Sequence, residues 1–135
     1  MDKNEILRRY AAGEIKLCGI NLAWVKLSHA ELSDVDLAGT NFSKALLNGA
    51  DLQQANLQVA HLHGADLCNA NLAVADLTNA DLGGAILLSS DLTNAKLSGT
   101  NLTYAALTEA TPSNIDLSNS IVNRTIVPQG YASNG

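Results

Sequence analysis

From residue 50 to residue 79 the chain reads ADLQQ-ANLQV-AHLHG-ADLCN-ANLAV-ADLTN, six successive units of five residues. The beat extends outward on both sides. A leucine, replaced once by Phe42, stands at every fifth position from Leu17 to Leu107, nineteen centres without a slip. A period of five fits neither regular secondary structure. On an α-helix five residues advance about 140° past a full turn, so the leucines would scatter around every side. On a flat strand an odd step places successive leucines on opposite faces. One way to keep them on one side is to bend the chain by a fixed angle at each repeat, so the sequence specifies a coil.

The other positions of the unit repeat as well. The residue two before each centre is small, most often alanine, as at Ala45, Ala50, Ala55, Ala60 and Ala65; the larger Ile15, Ile20 and Val25 cluster at the start. The residue just before the centre is commonly Asp or Asn, and the two after it are mostly Ser, Thr, Asn, Gln or Gly. Each unit thus supplies two inward side chains and three outward ones. A bend per repeat closes most economically as a square of twenty residues, and successive coils should stack at about 4.8 Å.

Ala-Asp-Leu-Gln-Gln, Ala-Asn-Leu-Gln-Val and Ala-Asp-Leu-Thr-Asn resemble the units of the pentapeptide repeat family, over about four-fifths of the chain. The resemblance implies an all-β solenoid, a right-handed quadrilateral β-helix with four pentapeptides per coil. Units centred from residue 17 to residue 127 would give five to six coils. The boundaries expected are a short N-terminal capping α-helix over 1–14, the repeat over 15–127 and a flexible tail over 128–135. Asp2 and Glu5 have capping-box spacing, Ile6, Leu7 and Tyr10 share one side, and Gly13 can end the helix. Pro112 sits at a centre and cannot donate to a ladder, so a frayed or partner-covered last coil is expected. Val122 and Val127 continue the core only weakly.

Composition narrows the function. The net charge is −5 with eight basic residues thinly spread, which argues against direct nucleic-acid binding, because phosphate recognition needs clustered Lys and Arg. No stretch has the length of a membrane span, no signal segment is seen at the start, and the two cysteines, Cys18 and Cys68, read as free thiols on different sides. A cytoplasmic protein is expected. Aromatics are scarce (three Tyr, one Trp, one Phe), so the core must be built from Leu and Ala.

Residues twenty apart stack, which turns the sequence into a surface map of four faces. The first carries Lys16, Asp36, Asn56, Asp76, Lys96 and Asp116, with opposite charges adjacent. The second carries Glu31, Asp51, Asn71 and Asp91 with Asp34 nearby and no basic residue. This acidic face reads either as a site for a basic partner or as the repeat's preferred turn residue keeping the rod soluble. The third carries Lys26, Leu46, Asp66, Ile86, Ala106 and Ile126, with Leu88 also outward. Leu46, Ile86 and Ile126 stand where Asp or Asn belongs, which reads as a contact surface or as tolerated drift. The fourth carries Asn21, Asn41, His61, Asp81 and Asn101, flanked by Trp24, Lys44, His63, Tyr104 and Arg124. Trp24 is expected to pack under the helix.

No catalytic constellation is legible. Ser-His-Asp and Cys-His arrangements lack local context, Gly83-Gly84 has no following lysine to make a phosphate loop, and a convex prism offers no cavity. His61 and His63 flank one centre without a third convergent ligand, so neither metal nor cofactor is expected. Thr78, Thr93 and Thr103 fall on three faces and build no flat threonine ladder. The function expected is a non-enzymatic scaffold for an unidentified protein partner, as a monomer or weak homodimer. The resemblance is to small cyanobacterial members, most of which have no established activity. The alternative it implies is an acidic DNA mimic that binds a type II topoisomerase; a purely structural rod is a third reading.

Overall fold

The structure, a computed structural model, describes residues 1–132. Parallel bridges join the residues just before the centres to those twenty further on: Lys16 to Asp36, Asn21 to Asn41, Lys26 to Leu46, Glu31 to Asp51, and onward to Ala106 with Ile126, except at Lys96. Four five-residue units therefore complete one coil, and the chain is a quadrilateral β-helix. The ladder is regular. Leu52 donates its N–H to the Asn71 carbonyl at 2.8 Å, Gln54 to Ala73 at 3.0 Å, and Asn71 donates back to Ala50 at 2.9 Å.

The corner chemistry explains why five residues suffice. Ala55 donates its N–H to the Leu52 carbonyl (3.1 Å), and Gln54 between them has φ +58°. A positive φ at the third residue of a four-residue turn is the type II signature. Among the described residues every non-glycine with positive φ occupies this same place in its unit, from Trp24 to Arg124, and Val59 and Val74 do so despite β-branching. At Gly49 and Gly64, two glycines in this place, a neighbour crosses it: an added Cβ at Gly49 would collide with the His29 ring, and one at Gly64 with the Lys44 side chain. Where the residue before the centre is Asp or Asn, it fastens the turn. Asp51 Oδ1 accepts the Gln53 N–H (3.1 Å), and Asn71 Oδ1 accepts that of Ala73 (3.1 Å).

Inside, the centres from Leu17 to Leu107 and nearly all the alanines two before them are buried. Each leucine contributes roughly 1.5–3 kcal/mol, and alanine leaves room for the opposite wall. Among the described residues three fully buried inward positions are polar: Thr40, Ser90 and Thr100. The helix α1 spans Lys3–Ala11, with Asp2 accepting the Glu5 N–H at 2.9 Å as its N-cap. Ile6 is fully buried and Leu7 and Tyr10 lie against the core, while the Tyr10 hydroxyl donates to the Ser33 carbonyl (3.0 Å). Ile15 departs from the inward reading and is half exposed.

The C-terminal end is irregular, as Pro112 foretold. The centre N–H donates to the following coil, as from Leu92 to Thr111, and Pro112 has no such N–H to give. Past it the register slips: Gly99 bonds to Asn119, twenty residues on, whereas the equivalent bond from Asn79 reaches nineteen residues on to Ser98. No bridge joins Lys96 to Asp116. Ile115 and Leu117 remain buried, but Val122 and Val127 are exposed. Beyond them Pro128 is buried and Tyr131 packs against the core, so the segment read as a loose tail stays on the body through Tyr131. Residues 133–135 of that expectation lie outside the described residues.

Candidate functional site

On the third face, Leu46, Asp66, Ile86, Ala106 and Ile126 form one bridged column. Their side chains point outward because the residues on either side point inward. Leu46, Ile86, Leu88 and Ile126 are exposed by 38%, 41%, 38% and 57%, so the sequence map places all four on the surface. At about 4.8 Å per coil the column from Leu46 to Ile126 runs roughly 19 Å. Asp66 keeps the usual role, accepting the Cys68 N–H at 3.0 Å. Burial pushes the Cys68 thiol up, reinforced by the hydrogen bond and charge of Asp66.

The acidic face is assembled as expected, with Glu31, Asp51, Asn71 and Asp91 in one column and Asp34 at a turn with φ +62°. Two of its carboxylates brace their own turns, since Asp51 Oδ1 accepts the Gln53 N–H and Asp91 Oδ1 that of Thr93 at 2.9 Å. The Thr93 side chain, and then its amide, hold the Asp91 carboxyl below the usual carboxylate range.

On the first face the expected charge pairing does not form. Among the described residues the ion pairs are those of Arg9 with Glu5 (2.9 Å) and Glu14 (3.5 Å). Asp36 and Asp76 instead turn their carboxylates onto the Ala38 and Thr78 N–H groups (3.1 and 3.0 Å), while Lys16 and Lys96 are exposed, where a pair contributes little. The prism also has a hollow. Where the Lys96–Asp116 bridge is missing, a cleft of about 330 Å³ opens between Thr78, Ala95, Lys96, Leu97, Ser98, Asp116, Asn119 and Ser120. The slipped coil makes this cleft.

On the fourth face Trp24 is 72% exposed, contrary to its expected place under α1. Its turn position aims it outward, and the helix anchors instead through Tyr10 on the second face. Tyr104 is exposed with the Arg124 guanidinium 5.9 Å from its ring centroid. Among the described residues no group of three or more His, Cys, Asp or Glu could hold a metal ion. Among the described residues no helix is long and apolar enough to cross a membrane. Both cysteines are free.

Residues 15–43, 36–72 and 75–111 match the pentapeptide repeats family in eight copies. The chain belongs to the pentapeptide repeat family. Pentapeptide repeat proteins fold as right-handed quadrilateral β-helices, which is the architecture described above. The chain is similar to HetL, a pentapeptide repeat protein involved in heterocyst differentiation regulation from the cyanobacterium Nostoc sp. strain PCC 7120, at 34% identity and a TM-score of 0.81. That match covers 82% of this chain but 46% of HetL, so the chain spans about half the length of that relative. It is also similar to alr5209, a pentapeptide repeat protein of Nostoc PCC 7120, at 27% identity and a TM-score of 0.63, covering 90% and 96% of the two chains. None of the curated proteins matches it.

Proposed function

We propose that this pentapeptide repeat protein is a non-enzymatic interaction scaffold whose third face receives a protein partner. The observation that carries the reading is the run of Leu46, Ile86 and Ile126, with Leu88 beside it, exposed in one column. At Leu46 and Ile86 the chain forgoes the side-chain acceptor that fastens the turns carrying Asp or Asn at this place, as at Asp51, Asp66 and Asn71, a hydrogen bond of about 0.5–1.5 kcal/mol. In return it leaves these apolar residues 38% and 41% exposed to water, which favours a docking reason over a folding one. Pentapeptide repeat proteins are in general structural or interaction proteins. The finer architecture belongs to the same reading: five to six coils, with α1 covering the first through Ile6. Two free thiols suit a cytoplasmic setting.

The test compares wild type with the Leu46→Asp, Ile86→Asp double variant. Size-exclusion chromatography with light scattering reads self-association, and pull-down from the native host reads other partners. A partner, or a weak homodimer, present with wild type and lost with the variant supports the proposal. Identical behaviour of the two proteins refutes it.

The acidic face supports a second reading, an acidic mimic of DNA that binds a type II topoisomerase. Glu31, Asp34, Asp51 and Asp91 share that face without a basic residue. A gyrase supercoiling assay decides it: absence of inhibition or drug protection at micromolar protein removes the idea.

A further inference from the structure

We propose that the cleft above Lys96 binds one free α-amino acid as its zwitterion. Elsewhere on the ladder each outward residue is held by two bonds to the coil below. Thr111 is the pattern: it donates its N–H to the Ser90 carbonyl (2.9 Å) and accepts the Leu92 N–H (2.7 Å). On the first face the same pair of groups, the Ala95 carbonyl and the Leu97 N–H, makes no hydrogen bond among the described residues, because Asp116 has slipped out of bridging register. Ladder geometry sets these two groups at the separation that serves the N–H and the C=O of a single extended residue.

The charges select among molecules that carry such a residue. Lys96 and Asp116 both line the cleft, and they form no ion pair with each other. Lys96 and the Leu97 N–H present donors for a carboxylate, while the Ala95 carbonyl and Asp116 present acceptors for an ammonium group. Asp116 is kept ionised, since the Ser118 hydroxyl and amide hold its carboxyl below the usual range. A free amino acid meets both ends; an internal peptide residue meets only the backbone pair. The volume of about 330 Å³ is that of roughly ten water molecules, enough for a small α-amino acid and its remaining hydration. Thr78, Ser98 and Asn119 supply further polar groups at the rim.

The experiment is an amide NMR titration of the full chain with glycine and L-alanine, in parallel with acetate, methylamine and N-acetylalanine methylamide. Saturable shifts of the Leu97 and Ser98 amides are expected with the amino acids, at a Kd of about 1 mM or tighter. Lys96→Met and Asp116→Asn should each weaken binding by about five- to tenfold. Both side chains are exposed, and unchanged amide spectra across the inner coils will show that the variants fold. No saturable shift up to about ten times that concentration overturns the proposal. So does equal binding of the uncharged methylamide, which would assign the cleft to a peptide backbone. Equal binding of acetate, or equal affinity in both variants, overturns it as well.

Discussion

Thr40 and Thr100 occupy the same inward position on the same side of the solenoid, three coils apart, yet replacing them should move stability in opposite directions. Both are fully buried. The Thr100 hydroxyl donates to the Leu77 carbonyl at 2.7 Å, whereas Thr40 Oγ1 is buried without a partner among the described residues. Valine is the informative replacement, since it exchanges hydroxyl for methyl and keeps the core volume. Thr40→Val removes a desolvation penalty of about 1–3 kcal/mol, and a net gain of about 1–2 kcal/mol is expected. Thr100→Val removes a bond with a net worth of about 0.5–1.5 kcal/mol. The Leu77 carbonyl keeps its bond from the Ala80 N–H (2.9 Å), so the loss should stay near 1 kcal/mol. The two variants should therefore differ by about 2–3 kcal/mol, a separation of roughly 1 M in urea midpoint at ordinary slopes. Equilibrium urea unfolding monitored by circular dichroism measures this, with an unchanged slope as the control. Coincident midpoints, or a destabilised Thr40→Val, would refute the assignment of an unsatisfied hydroxyl.

Four further outcomes are expected. Val59 and Val74 hold φ +52° and +60°, so Val59→Asn and Val74→Asn should each raise stability by about 0.5–1 kcal/mol, with additive shifts in the urea midpoint. Leu62→Ala, at a fully buried centre, should lower it by about 2–5 kcal/mol in the same assay. The folded pKa of Asp91 lies below its unfolded value, so its contribution is complete above the ordinary carboxylate pKa and is lost as pH falls through the depressed one. Melting temperature measured against pH should show that acid limb shallower in Asp91→Asn, with the neutral value little changed. Cys18 is exposed, while burial and Asp66 raise the Cys68 thiol. Alkylation followed by peptide mapping should find Cys18 modified first at neutral pH.

The sequence is most legible where one rule repeats. Spacing alone predicts the twenty-residue bridges, the buried leucines and the outward column of Leu46, Ile86 and Ile126, because a bend per unit admits few closures. It also identifies Pro112 as the place where regularity lapses. What the lapse creates is not legible. The cleft depends on a slip of one residue between Gly99 and Asn119, which leaves the leucine spacing intact and so carries no periodic signal. Trp24 misleads for a related reason: a large aromatic near a helix invites burial, but its turn position fixes its direction before packing is considered. The unpaired hydroxyl of Thr40 is equally beyond reach, since Thr40 and Thr100 are identical in register, yet only the Thr100 hydroxyl is bonded.

The turn-fastening bond from the residue before each centre has an evolutionary consequence. Asp51 and Asn71 make it with the same atom at the same 3.1 Å, so aspartate and asparagine are synonyms in the grammar of this fold. One carries a charge and the other does not. A lineage can therefore repaint the electrostatics of an entire wall, coil by coil, without renegotiating the architecture beneath it. Related rods of the same shape are free to diverge into surfaces that repel, ignore or attract the same neighbour.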